Sequence, residues 1–212
     1  MAGHNAAMAA HLRRAPDPDF LDKPTLSGER VLLRPVTVDD VPALMPMFQD
    51  VEASRLTGSH DEGGLDEARI RTWYDTRREQ NDRLDLAVVE QATGIVVGEA
   101  VLNDWDPGNE SCGFRICLVP GAHGRGLGTE ATRLIVGYGF ERLGLHRISL
   151  EVYAFNPRAR RVYEKVGFLA EGVLRDALLW EGERVDAAVM AILAPEWSQH
   201  RGRPETTGHR SA

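Results

Sequence analysis

Three glycines at alternate positions, Gly124, Gly126 and Gly128, sit in the stretch "HGRGLGTEA" that begins at His123, with Arg125 between the first two. A helix-forming run follows directly. Glycines in that place leave backbone N–H groups bare at a helix N-terminus, where unpaired donors and the positive end of the dipole suit a phosphate. A second set of reactive side chains lies downstream in "NPRARRVYEKVGF", Asn156 to Phe168, which carries Tyr163 and several arginines. A third is Glu99 in "VVGEAVLND". If Val97 and Val101 face one core, this carboxylate shares their side and is costly to bury without a function.

Two common phosphate binders fit poorly. A P-loop needs Lys and then Ser or Thr after its last glycine, whereas Thr129 and Glu130 follow Gly128. The dinucleotide fingerprint fits better, because Gly126 to Ala131 reads G-x-G-x-x-A and an acid, Glu151, lies near the end of the next strand. Against it, "PGAHGR" separates the strand end at Val119 from Gly126, and the strands before the loop form a meander rather than successive crossovers.

The elements that must position these residues are legible from periodicity. "GERVLLRPV" alternates as a strand, and Thr37 with Asp40 opens a helix carrying Val41, Leu44, Met45 and Phe48 at helical spacing. "ASRLTGSHDEGG" reads as a polar loop, and "LDEARIRTWYDTRREQ" as an amphipathic helix with Leu65, Ile70, Trp73 and Tyr74 on its apolar side. "RLDLAVVE", "GIVVGEAVLND" and "ESCGFRICLV" are three strands joined by short turns. The glycine loop then opens a helix whose stripe is Leu127, Ala131, Leu134, Ile135 and Tyr138. After the strand "HRISLEVY", Asn156 and Pro157 start a short helix with Ala159, Val162, Tyr163 and Val166 inward and Gly167 at its end. Two strands meeting at Glu181-Gly182 complete the pattern. One mixed α/β domain over 26–194 is expected, with a flexible arm before it (1–25) and a flexible polar tail after it (195–212).

Composition narrows the function. The 212 residues are 42% hydrophobic and 27% charged, an ordinary globule able to bury a core. A formal net charge of −7 argues against a nucleic-acid surface and is compatible with a cationic small substrate. Cys112 and Cys117 are too few for a zinc site or disulfide framework, no metal site is expected, and their odd spacing puts them on opposite faces of one strand. No apolar run approaches a membrane span and no secretory signal is visible, so the chain reads as cytoplasmic.

"HGRGLGTEA" followed by "NPRARRVYEKVGF" resembles the GNAT superfamily of acyl-CoA-dependent N-acetyltransferases, over roughly Leu26 to Leu193. Gly126 and Gly128 match the first motif while His123 replaces its usual Gln or Arg, and Asn156 through Phe168 matches the second. Within the superfamily, the run from Leu143 to Leu179 looks most like the branch of ribosomal-protein N-terminal acetyltransferases (RimJ/RimL-type), which also includes acetyltransferases of small amines. The resemblance implies a central, mostly antiparallel sheet of about seven strands flanked by helices.

It also implies acetyl-CoA as co-substrate. Its pyrophosphate would lie on the loop His123, Gly124, Arg125, Gly126, Leu127, Gly128 and Thr129, and its pantetheine arm along Cys117, Leu118 and Val119. The N–H of Leu118 or of Val119 would polarise the thioester carbonyl. Asn156 would hydrogen-bond the pantetheine, Tyr163 would protonate the leaving thiolate, and Arg160 or Arg161 would meet the 3′-phosphate. Glu99 lies where the superfamily often carries a carboxylate near the amine, with Asp104 and Asp176 as alternatives for the base. The acceptor is then a small amine or a peptide N-terminus, in a pocket drawn from "SRLTGSHDEGG", Trp73, Tyr74, Trp105 and the hairpin near Trp180. A catalytically silent acyl-CoA-binding module is the rival from another class. Relatives often form homodimers, and nothing in the sequence fixes an interface.

Overall fold

The computed structural model of the chain describes residues 19–60 and 66–201. Its centre is an eight-stranded sheet. The strands are β1 (Leu26–Ser27), β2 (Val31–Pro35), β3 (Leu84–Glu90), β4 (Ile95–Asp106), β5 (Ser111–Leu118), β6 (Arg147–Tyr153), β7 (Leu169–Trp180) and β8 (Glu183–Leu193). Their spatial order is β1-β2-β3-β4-β5-β6-β8-β7. Every neighbouring pair is antiparallel except β5 and β6, which run parallel over only Ser111–Gly113 against Arg147–Ser149. The sheet expected from the sequence is thus present, with the two-residue β1 as an added edge.

Helices cover both faces. The described helices are α1 (Val41–Gln49), α2 (Val51–Thr57), α3 (Glu67–Asp75), α4 (Leu127–Glu141), α5 (Pro157–Val166) and α6 (Ala194–His200). One core packs Leu127, Ala131 and Ile135 of α4 and Tyr163 and Val166 of α5 on Leu86, Val88, Leu102 and Phe114 of the sheet. The other packs Leu44 and Met47 of α1 and Ile70 and Tyr74 of α3 on Ala87, Val89 and Val96. Strand β3 is therefore buried along its whole length. Cys112 and Cys117 contact opposite cores, as their spacing requires. None of the described helices is long and apolar enough to cross a membrane.

Four local features depart from the sequence reading. Part of the supposed loop "ASRLTGSHDEGG" is helical, since Ala53 to Thr57 belong to α2. The Asp50 side chain accepts the Glu52 N–H to start that helix, and Gly58 at φ 68° ends it. With Ala53 as the single buried position, α2 has no apolar stripe to announce it. Residues 61–65, including Leu65 of the expected α3 stripe, lie outside the described residues, as do 1–18 and 202–212 of the expected arm and tail.

Second, β4 contains a bulge. Val88 pairs with Gly98 but Val89 pairs with Val96, so the chain gains one residue there. A single inserted residue reverses which face the following side chains meet. Val97 therefore joins the α4 core, while Glu99 turns to the α3 side against Tyr74. The premise that Val97 and Glu99 share a face is corrected by this bulge.

Packing also extends past both expected boundaries. Phe20 is buried against Trp105, with ring centroids 5.6 Å apart. Trp197 of α6 is buried as well, stacked on Phe140 at 6.1 Å and donating its Nε1–H to Glu141 at 2.9 Å. Gly137 makes room for it, because a Cβ there would stand 2.8 Å from the indole. Trp197→Ala is expected to destabilise the fold by about 3 kcal/mol, near the lower end for buried aromatics. Melting followed by circular dichroism checks this, and an unchanged midpoint would mean that α6 is dispensable.

Candidate functional site

The short pairing of β5 with β6 creates the site. Beyond Gly113 and Ser149 the two strands part: β6 pairs with β8 along its length, and β5 continues beside β4. A cleft of about 1530 Å³ opens between them. It reaches from the glycine loop at the start of α4, past Cys117 and Leu118, to Glu99 and Trp73 on the α3 side.

At one end lies the loop. Gly124 and Gly126 adopt φ of 76° and 81°, left-handed conformations that favour glycine. Gly126 is the N-cap of α4 and has no side chain to offer, and the first helical bond runs from the Glu130 N–H to its carbonyl. The N–H groups of Leu127, Gly128 and Thr129 are then left without intrahelical acceptors. The loop is held from behind: the Glu130 carboxylate accepts the Arg30 N–H at 3.1 Å, and Arg30 Nη1 donates to the Arg125 carbonyl at 3.2 Å. His123 lines the cleft, and burial followed by Arg158 lowers its pKa, keeping the imidazole neutral at pH 7.

The β5 edge comes next. The Val119 N–H donates to the Val97 carbonyl at 2.9 Å and is occupied by the sheet. Successive N–H groups of a strand point to opposite sides. The Leu118 N–H accordingly points away from β4, into the opening left by β6. Of the two amides that the sequence could not separate, Leu118 has the free direction. Gly98 brings β4 this close, since a Cβ there would lie 2.3 Å from the Cys117 carbonyl oxygen.

Glu99 and Tyr163 approach the opening from opposite faces. Glu99 is buried, accepts the Tyr74 hydroxyl proton at 2.5 Å on Oε2, and accepts from Arg115 Nη2 at 3.1 Å on Oε1. Burial pushes its carboxyl pKa up, and the Arg115 charge and the Tyr74 bond only partly oppose that. Tyr163 packs edge-on to Phe114 at 6.1 Å, and burial, then Cys117, raises its pKa. Cys117 lies opposite Glu99 in the β4–β5 register and within electrostatic reach of both. Asn156 lines the cleft while its Oδ1 caps α5 through the Ala159 N–H at 3.1 Å.

The structure brings together Glu99, Cys117, Leu118, His123, Gly124, Gly126, Gly128, Thr129, Asn156 and Tyr163 around this one cleft. It places others elsewhere. Arg125 forms an ion pair with Glu90, and Leu127 is buried in the α4 core. Arg160 bonds Glu164 at 2.9 Å on the exposed side of α5, while Arg158, Arg161 and Lys165 line the cleft instead. The signal was in the sequence: Glu164 is four residues after Arg160, and 158, 161 and 165 share a helix face. Of the proposed acceptor aromatics Trp73 lines the cleft, Tyr74 is buried on Glu99, Trp105 packs on Phe20, and Trp180 stacks on His60 at 5.5 Å. Asp104 lines the cleft; Asp176 lies on β7 and is not among its walls. Arg115 had no local signal, because its contact with Glu99 depends on the β4–β5 register that sets Val101 opposite Arg115 and Glu99 opposite Cys117.

Sheet, loop and cleft together define an acetyltransferase of the GNAT type, and residues 30–169 match the family described as "Acetyltransferase (GNAT) domain". The chain belongs to that family. It is 30% identical over 180 residues to "Probable N-acetyltransferase YjcK" of Bacillus subtilis (strain 168), covering 82% of this chain and 99% of that protein. Its fold is that of the spermidine N-acetyltransferase from Vibrio cholerae in complex with CoA and spermine, at TM-score 0.74 and 23% identity over 81% of this chain and 99% of the other. It also superposes on Mycobacterium smegmatis RimJ in complex with CoA-disulfide, at TM-score 0.73 and 22% identity over 87% and 93%.

Cys117 lines the cleft beside Glu99, and burial, then Glu99, pushes its pKa up to about 12. At pH 7 the thiol is therefore protonated, whereas the thiolate is the form that reacts. Iodoacetamide at pH 7 is expected to leave Cys117 unmodified in the folded protein and to alkylate it after denaturation, as read by peptide mass spectrometry. Rapid labelling of the native thiol would contradict its protonated state.

Proposed function

We propose that the chain transfers an acetyl group from acetyl-CoA directly to a primary amine, both substrates being bound together. The observation that carries this reading is the pair of buried proton-handling groups, Glu99 and Tyr163, on opposite faces of the β5–β6 opening. Acetyl-CoA supplies an activated thioester when bound. The residues fit it: bare helix N–H groups at Gly128 and Thr129 suit a pyrophosphate, and Arg158, Arg161 and Lys165 add positive charge along the same cleft. The free edge of β5 offers its backbone to an extended arm, and the Asn156 side-chain N–H groups remain for a carbonyl after its oxygen has capped α5.

In this reading Glu99 takes the proton from the acceptor ammonium, so that the nitrogen lone pair can attack. The Leu118 N–H holds the carbonyl oxygen as it gains negative charge. Tyr163 gives its proton to the departing sulfur, and the second proton that the nitrogen sheds as the amide forms returns to the tyrosine oxygen. No acyl-enzyme is invoked, because Cys117 lies in a strand where burial keeps its thiol protonated.

Steady-state release of free thiol, beside calorimetric binding of acetyl-CoA, tests these roles. Tyr163→Phe is expected to lower kcat about 10²-fold, within the usual range for general acid–base catalysis, while acetyl-CoA binding is kept. Unchanged turnover would remove Tyr163 from the mechanism. Because burial holds Glu99 above the ordinary carboxylate range, the base form is depleted at low pH, and kcat/KM should rise with pH through that raised value. Glu99→Gln should lose most activity and this acid limb together; retention of the limb would assign it to another group.

A further inference from the structure

Arg115 shares the wall of the cleft with Glu99. It spends one Nη2–H on Glu99 Oε1 at 3.1 Å, and its side chain is still 47% exposed. A guanidinium has five N–H donors in one plane, so others are free to face the cleft. The Trp73 ring supports it at 5.5 Å and carries Arg77 at 4.2 Å. Arg69, four residues before Trp73 on α3, lines the same wall, and its guanidinium has no partner among the described residues.

The charges on this wall do not cancel. Arg83 makes two 2.7 Å bonds to Asp85 and neutralises it. Ionised Glu99 is left within reach of both Arg77 and Arg115. Of the other carboxylates lining the cleft, Glu52 pairs with Arg55, Asp104 accepts from Asn103, Asp50 acts on His123 and Cys117, and Glu151 belongs to the β6 wall. A bare ammonium brought to Glu99 would leave the remaining Arg115 donors without an acceptor. An amine that carries its own carboxylate would supply one.

We infer that Arg115, with Arg69 at the rim, is a carboxylate-binding subsite, and that the acceptor is an α-amino-acid-like zwitterion. The inference rests on the transfer reading above and names its substrate class. Glu99 and Arg115 touch, so the proton acceptor and the anion holder are neighbours. The carboxylate must then lie within about two or three bonds of the amine nitrogen, the reach of one charge-assisted pair. A polycationic amine has nothing to place on Arg115.

The test measures thiol release from acetyl-CoA with protein L-amino acids, their C-terminal amides, and spermidine. Wild type, Arg115→Gln, Arg115→Lys and Arg69→Ala are compared, with melting curves to confirm folding. Loss of the Glu99 partner in Arg115→Gln affects both members of an acid–amide pair alike, so the kcat/KM ratio within a pair isolates the subsite. That ratio is expected to fall about 10–100-fold in Arg115→Gln, the range for a charged hydrogen bond. Arg115→Lys should restore part of it, and Arg69→Ala should lower it about 3-fold, as suits a rim charge. Ratios unchanged in both Arg115→Gln and Arg69→Ala, or wild type preferring spermidine or the amides, would overturn the subsite alone. Absence of thiol release from every amine would overturn the transfer reading and the subsite with it.

Discussion

The site depends on a sheet that refuses to close. Parallel strands β5 and β6 pair over Ser111–Gly113 and then separate, while β6 continues beside β8 and β5 beside β4 on their outer edges. An unpaired strand edge is normally a liability, open to adventitious pairing. Here the edge lies inside a cleft, where its free N–H groups face a substrate channel instead of another chain. The separation also places the α4 N-terminus after β5 and the capped α5 after β6 at the same opening. The bare N–H groups of α4, the β5 edge at Leu118 and Tyr163 of α5 therefore converge from elements far apart in sequence.

Two buried carboxylates show how the same partner type gives opposite results. Asp40 is buried, which alone would raise its pKa, yet two bonds from Arg34 at 2.6 and 2.8 Å and the Thr37 N–H at 2.9 Å hold it below the usual carboxylate range. Glu99 receives one bond from Arg115 and one from Tyr74, and burial prevails. Asp40 is saturated and closes the short 3-10 turn Val38–Asp40 that leads into α1. Glu99 is under-compensated, and an under-compensated carboxylate facing a cleft is ready to accept a proton. Its protonation relieves the charge that burial opposes, so the protein environment favours the direction in which the proposed reaction moves that proton.

Legibility in the sequence followed locality. The glycine loop, the Asn156-Pro157 helix start and the Gly167 stop were readable because each is a contiguous backbone requirement, met in the structure by φ of 114° at Gly167 and by the Asn156 cap. The meander and the final hairpin were readable from period two. Helix α2 was not, since a helix with one buried residue leaves no stripe. Nor was the anchoring of Trp197, which needs the notch at Gly137 on another helix. The face of Glu99 was misjudged through a bulge at Gly98 that alternation cannot show. Arg125 and Arg160 were chosen by proximity to the motifs, whereas Glu90 and Glu164 claim them. Side-chain direction is decided by competing partners, and only one of those two partners was a helical neighbour.

A buried tyrosine looks like a poor acid, because burial raises the pKa of Tyr163 and makes its proton harder to remove. The leaving group experiences the same surroundings. Cys117 lies within electrostatic reach of Tyr163, and there a thiol is pushed up to about 12 from an ordinary value near 9. A thiolate formed beside it would be far more basic than in water, where it would leave without help. Desolvation thus acts in the same direction on a phenol and on a thiol in this opening. The closed environment that weakens Tyr163 as an acid in isolation is the one that makes an acid necessary.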